Sequence, residues 1–577
     1  MKSAGKARNN GLYRHIRTSK EIIRNLLNDY DELLQVLHYL ADSYPNLCRY
    51  RSIGITYEGR ELALLEITDY KYGVPDEKPG YYAEGCTHSE EFCGTNAALQ
   101  LAVRLLSSYG KEEDMTQLLR DTVFYILPRV NPDGVETILN TGLWGVANGK
   151  YSIEERQPLP GLIPKDLNGD GIVAQMRIED PNGEWKISEK DSRLMVLRKP
   201  YETGGTYYRM YPEGEIRGET VGFEIPKHRD VNLNRNYPVN WLPENLQYGA
   251  CEFPLSEPET RSVAYFLHKH KNIAGVISYH TNAGAIMRPF SGKSDDHFAG
   301  ADLSLYNTLG EMGKEDLNYD VMSTYGGFTP DKSRVRGGTL SDLTFEVMGI
   351  PSFMLELWNV YDAAGTERPK AFHFAAKDEE KDLAVLRWAD RELGPKAYVN
   401  WTPVNHPQLG KVEVGGWNWI YVERNPPECY LFEQSEAAAS FTIKLAKTLP
   451  KLMIKEVNVK QLEKSIYKVD AVIGNAGYLP TYLTAQALEV SAASPVKAEL
   501  ESIEGDFEIE CSTHPDHIGH LEGRFGRDAE WSRDRAMWKP TERRVQWVLR
   551  RKTERVVLRL KVSSDRSGTV RKEICLK

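Results

Sequence analysis

The sequence predicts an α/β domain with a largely internal sheet, followed by a small antiparallel β-sandwich. Between Asp29 and Gly394 short apolar runs alternate with segments of helical period, the pattern of strands and helices sharing one sheet. From about Lys455 onward apolar residues recur at every second position between turn residues, as in strands with one solvated face. Composition sets the scale: 577 residues with 41% hydrophobic, 27% charged and 10% aromatic residues make an ordinary globular chain, long enough for a large core.

Taken in order, residues 1–28 are polar and basic without sustained period and are expected to form a partly ordered leader. Leu33, Val36, Leu37 and Leu40 then recur at helical spacing behind Asp29 and Glu32, a capping-box pair, and Pro45 ends that helix. Strands are expected at 48–53, 62–67, 81–83 and 123–127, with a helix carrying Ala98, Leu101, Ala102 and Leu105 before the last of them. Ser256 with Glu259 predicts the cap of another helix, and 275–279 and 352–355 read as further buried strands. The α/β domain is thus assigned to 29–394.

Inside it, the stretch from Asn131 to Asn234 is rich in Gly, Pro and charge and reads as a long functional or lid-like loop, with an insertion at about 145–228. Its run DLNGDG, containing Asp166, Asn168, Asp170 and Gly171, opens like a calcium-binding loop and is a candidate Ca2+ site. The twelfth position is Arg177 rather than glutamate, so a tight Asx/Gly turn is the competing reading. After Gly394 a connector rich in Pro, Gly and Trp leads to a helix with Ala438, Phe441, Leu445 and Leu449 on one face, together filling 395–454. The sandwich is assigned to 455–577, where Tyr467, Val469, Ala471 and Ile473 alternate.

Net charge is -9, which argues against a polyanionic partner, and no nucleic acid is expected. The region 521–577 is basic, with 17 Lys/Arg against 8 Asp/Glu, yet Val545, Trp547, Leu549, Leu558, Leu560 and Val562 alternate with its charges. That is a half-buried strand pattern. No apolar run reaches the 18 or so residues of a spanning helix, and the N-terminus lacks the apolar centre of a signal peptide. Seven scattered cysteines do not read as a disulfide framework, so a cytoplasmic location without membrane attachment is expected.

Chemistry gathers at four places. His88 and Glu91 follow the strand at 81–83 and precede a helix; imidazole and carboxylate at i and i+3 can face one point and suit zinc. Cys86 and Cys93 nearby lack a second Cys/His pair and read as buried small residues. His280 ends the strand at 275–279 and offers a third ligand, leaving one position open, the layout of a catalytic zinc. Glu356 closes the run 351–355, where a carboxylate is costly to bury without a job, and general base is the job a neighbouring metal would give it. Arg235, among Asn232, Asn234 and Asn236, presents planar donors suited to a carboxylate.

These pieces in this order resemble the zinc carboxypeptidase family of the carboxypeptidase A type. The HxxE run is His88-Ser89-Glu90-Glu91, followed by ILPRVNPDG (126–134), NRN (234–236), SEPET (256–260), SYH ending at His280, and GTLSDLTFEVMGIPSFMLEL (338–357). The likeness spans about 29–394. It implies a mixed eight-stranded sheet with helices on both faces, Zn2+ held by His88, Glu91 and His280, Asn234 and Arg235 on the substrate's terminal carboxylate, and Glu356 as general base. The expected activity is hydrolysis of C-terminal peptide bonds in peptides with a free carboxylate.

Two positions depart from the family. Its arginine that polarises the scissile carbonyl follows a Trp soon after NPDG, but here Gly145 follows Trp144; Arg177 is the substitute taken from the sequence. Where its mobile tyrosine belongs stands Arg334, and Tyr325 is the nearest upstream replacement. Two other functions stay open: an amidase acting on peptidoglycan stem peptides or γ-glutamyl conjugates, and a catalytically silent peptide-binding protein.

Overall fold

A computed structural model describes residues 29–142, 147–151, 161–218, 230–329, 331–368, 378–525 and 540–576. The expected leader and the Trp144–Gly145 step lie outside the described residues. One eight-stranded sheet organises the α/β domain. Its strands are β1 (Cys48–Ile55), β2 (Glu61–Ile67), β3 (Gly80–Gly85), β4 (Val123–Leu127), β5 (Ile273–Thr281), β6 (Ala285–Arg288), β7 (Asp320–Ser323) and β8 (Ser352–Leu357). They lie in the order β1-β2-β4-β3-β5-β8-β6-β7. The sheet is mixed: β4, β3, β5 and β8 run parallel, while β1/β2, β2/β4 and β6/β8 are antiparallel. The apolar runs at β3, β4, β5 and β8 are buried along their whole length, as strands covered on both faces must be.

Side-chain alternation shows the two faces. Tyr279 of β5 hydrogen-bonds Thr442 at 2.6 Å on a helix at Glu428–Ala446, while Tyr82 and Tyr125 pack on Phe266 of a helix at Pro258–Lys269. Odd positions of β5 therefore face one layer of helices and even positions, including Ser278 and His280, the other. The first helix, α1 (Tyr30–Ser43), buries Leu33, Val36, Leu37 and Leu40, and Asp29 caps it by accepting from Glu32 N at 2.8 Å. Helix α2 (Cys93–Ser108) begins beneath the HxxE turn. A Cβ at Gly94 would stand 2.7 Å from both Cys86 N and Tyr279 O, so a glycine is required for that approach.

Three local expectations change. Ser256 does not cap the helix at Pro258–Lys269; its hydroxyl donates to Glu257, and no side chain caps that end. The long loop instead forms short strands, and the connector pairs with them: Tyr398–His406, Gly410–Trp417, Gln175–Glu179, Tyr208–Pro212, Trp185–Ile187 and Met195–Leu197 make a second, six-stranded sheet. Finally, the helix at Glu428–Ala446 belongs to the main core, where Leu431, Ala438, Phe441 and Leu445 join the sheet residues.

The C-terminal region is a sandwich of a four-stranded and a three-stranded antiparallel sheet. Val545, Trp547 and Leu549 from one sheet and Leu558, Leu560 and Val562 from the other are buried in a common core, so the basic charges sit on solvated faces. It docks on the α/β domain. Asp302 accepts from Ala485 N and Gln486 N at 2.7 and 2.9 Å, Thr484 donates to Gly349 O at 2.8 Å, and Arg571 pairs with Glu77. Among the described residues no helix is long and apolar enough to cross a membrane, and the seven cysteines are unpaired.

Candidate active site

The carboxyl ends of parallel strands are where α/β sheets gather ligands, and β3, β5 and β8 are neighbours. His88 and Glu91 lie in the turn after β3; His280 and Glu356 are register partners on β5 and β8. His88 Nδ1 lies 3.0 Å from Glu91 Oε1, His280 Nδ1 lies 2.9 Å from Glu91 Oε2, and the two Nδ1 atoms are 3.3 Å apart. Among the described residues this is the one His/Cys/Asp/Glu group whose ligand atoms converge, all within 4.8 Å of one another.

The outer ring nitrogens are also held. His88 Nε2 donates to Asn232 Oδ1 at 3.1 Å, and His280 Nε2 donates to Ser278 Oγ at 3.0 Å. Ser278 donates onward to buried Glu84 at 3.0 Å, which also accepts from Tyr82 and Thr87. A proton on each Nε2 leaves both Nδ1 lone pairs and a carboxylate aimed at one point. That arrangement repels itself without a cation, and two imidazoles with one carboxylate form a donor set suited to zinc. Burial raises the Glu91 carboxyl, but once the two imidazoles take up protons at Nδ1 in place of a cation, their charge and hydrogen bonds overcome this and hold it well below the usual range.

Glu356 is buried, and no hydrogen bond to its carboxylate forms among the described residues. Burial, with the Glu91 charge beside it, pushes it above the usual carboxylate range; His280, Arg424 and Arg336 oppose that. Arg235 closes the short turn Leu233–Arg235, and among the described residues its side chain makes one hydrogen bond, from Nη1 to Asn234 O at 2.6 Å. Asn234 is buried and accepts from Leu340 N at 3.1 Å. Its neighbour Asn236 is a latch instead, accepting from Thr260 at 2.7 Å and donating to Phe253 O at 2.9 Å.

A zinc carboxypeptidase family model matches residues 33–376. The chain belongs to the zinc carboxypeptidase family. Carboxypeptidase A6 of Mus musculus is 22% identical over 287 residues, which cover 48% of this chain and 49% of that protein. The carboxypeptidase N catalytic chain of Homo sapiens is 33% identical over 162 residues, 28% of this chain and 32% of its own. The chain spans about half or less of the length of these curated relatives. A crystal structure of thrombin activatable fibrinolysis inhibitor is similar at 16% identity and a TM-score of 0.42, across 75% of this chain and 77% of that one. Residues 451–575 match a second family, described as a domain of unknown function.

In this member of the zinc carboxypeptidase family, His88, Glu91, His280 and Glu356 come together, with Arg235 close enough for its charge and that of Glu356 to interact. Arg177 does not join them. It lies on the strand Gln175–Glu179, where Nε pairs with Glu413 at 2.8 Å and its guanidinium stacks on Trp401 at 4.4 Å, so its charge is spent in the second sheet. Tyr325 sits in the helical turn Thr324–Phe328 with Lys332 over its ring at 4.6 Å, and no contact among the described residues ties it to His88, Glu91 or His280. The candidate calcium loop forms an Asx turn, in which Asp166 accepts from Gly169 N and Gly171 N at 2.6 and 2.9 Å, and Asp166 and Asp170 belong to no converging His/Cys/Asp/Glu group among the described residues, so calcium finds no support there.

Sequence reading missed Arg424. It closes the helical turn Ile420–Arg424, far along the chain, and pairs through Nη2 with Glu90 at 2.8 Å and through Nη1 with Asn282 at 3.1 Å. Its charge acts on Glu91 and Glu356. Asn425 beside it accepts from Cys93 N at 3.0 Å and donates to Glu90 O at 2.8 Å, strapping the HxxE turn from the connector side. No motif marks this segment, so only its spatial position identifies it.

Proposed function

We propose that the chain is a zinc-dependent metallocarboxypeptidase that removes residues from peptides ending in a free carboxylate. The observation that carries this is the converging His88, Glu91 and His280 set with Glu356, unpartnered among the described residues, in register beside His280. His88, Glu91 and His280 would hold zinc, and the metal, when bound, would supply Lewis acidity toward the substrate carbonyl and a more acidic water. Glu356 takes a proton from the attacking water and returns it to the leaving amine; its upward-shifted carboxyl suits a group that must both hold and release a proton. Arg235, with Asn234 beside it, pairs with the terminal carboxylate and fixes the scissile bond one residue away. Arg424, rather than Arg177, supplies positive charge on the side of Glu90 and Glu356, where charge develops on the carbonyl oxygen.

Mass spectrometry of products from a mixed peptide pool tests this reading. Zinc-loaded protein should remove single C-terminal residues in succession, and chelation should stop it. Internal cuts would contradict the reading, and cleavage confined to muropeptides would move it to an amidase.

A further inference from the structure

We infer that Arg336 reads a second carboxylate on the substrate, so that the preferred C-terminal residue is glutamate or aspartate. This rests on the carboxypeptidase reading above and specifies its substrate class.

Arg336 is carried by a loop sewn to the Arg235 segment. Gly338 N donates to Val239 O at 2.8 Å, Tyr237 N donates to Gly338 O at 3.0 Å, and Leu340 N donates to Asn234 Oδ1 at 3.1 Å. Gly338 has φ +70, and a Cβ there would stand 2.3 Å from Arg235 O, so glycine permits the two arginine-bearing segments to touch. The Arg336 guanidinium is partly buried and lies over Phe328 at 4.2 Å. Among the described residues neither it nor Arg235 pairs with an acidic side chain.

The two positive charges interact. Burial first, and then Arg336, pull the Arg235 guanidinium down to about 9, and the Arg336 charge also reaches Glu356. Asp342 is committed elsewhere, accepting from Ser291 N at 3.1 Å and from its hydroxyl at 3.3 Å. Glu356 attracts both guanidinia but hydrogen-bonds neither among the described residues, so each keeps donors for a ligand carboxylate, and an α-carboxylate answers only one. Space agrees with a short acidic side chain. The cavity behind Asn234 and His280, lined by Leu340, Ser341, Phe353 and Met354, measures about 10 Å³, room for one water and no deeply inserted side chain. An acid of two or three carbons instead turns its head group toward Arg336.

The test uses the full-length, zinc-loaded protein and peptides differing only in the last residue, glutamate or its neutral isostere glutamine. A charge-assisted hydrogen bond predicts a kcat/KM ratio of at least about tenfold for glutamate, collapsing toward unity in Arg336→Gln and partly restored in Arg336→Lys. Equal cleavage of the pair by the wild type, or a ratio that survives Arg336→Gln, overturns the inference. If no peptide is cleaved, the activity reading fails separately, and calorimetry with N-acetylglutamate and N-acetylglutamine decides this one without turnover. Wild-type binding at least about tenfold tighter for the diacid supports it; equal binding overturns it.

Discussion

Glu356 shows how a single buried side chain is committed by what surrounds it. Its carboxylate has no hydrogen-bonding partner among the described residues, stands in register with His280, and is shifted upward by burial and Glu91. Glu356→Gln is expected to keep zinc and substrate binding while lowering kcat by orders of magnitude, because an amide cannot accept the water's proton. Zinc content alongside steady-state kinetics checks it, and a change confined to KM would assign Glu356 to positioning. In the proposed zinc site, Ser278→Ala removes the acceptor for His280 Nε2 and unties it from Glu84, and should weaken zinc affinity by about 10- to 100-fold. Metal-buffer titration measures this, and unchanged affinity would show that the ring needs no such hold.

At the scale of elements, three strand ends build the centre and one distant turn braces it. β3, β5 and β8 were legible because strands buried on both faces leave apolar runs, and because His88, His280 and Glu356 sit at the ends of those runs. The second sheet was not. Several of its strands are three to five residues long and half exposed, too short and too mixed for an alternation to register. The helix at Glu428–Ala446 shows its apolar face in sequence, but a face alone does not name the layer it packs on, and only the fold places it in the main core. Arg177 is near the motif only in sequence, whereas Arg424 reaches the site through folding alone. Arg424→Gln should lower kcat by about 10²- to 10³-fold with zinc retained. Because that change also leaves buried Glu90 unpaired, the Glu90→Gln/Arg424→Gln pair is the control: lost turnover in a thermally stable double variant assigns the effect to charge at the site, and restored turnover assigns it to the broken pair.

At the scale of the whole molecule, the sandwich carries no converging ligand group among the described residues, yet it is docked through Asp302, Gly349 and Glu77, and its Leu479 and Leu483 enter the main core. A chain ended near Leu449 should therefore keep zinc and turnover on small peptides while melting at lower temperature, and a zinc-loaded fragment without turnover would show that the sandwich shapes the cleft. The central claim is exopeptidase action, in which Arg235 anchors a free carboxylate at a fixed distance from the converging ligands. Amidating a substrate's C-terminus leaves that guanidinium without its partner, at a cost of about 2–5 kcal/mol, roughly 30- to several-thousand-fold in kcat/KM. The most direct measurement is the kcat/KM of one peptide as free acid and as amide, in the wild type and in Arg235→Ala. The wild type should cleave the free acid alone or with at least that advantage, and Arg235→Ala should erase the difference; equal cleavage of both forms by the wild type would contradict carboxylate anchoring.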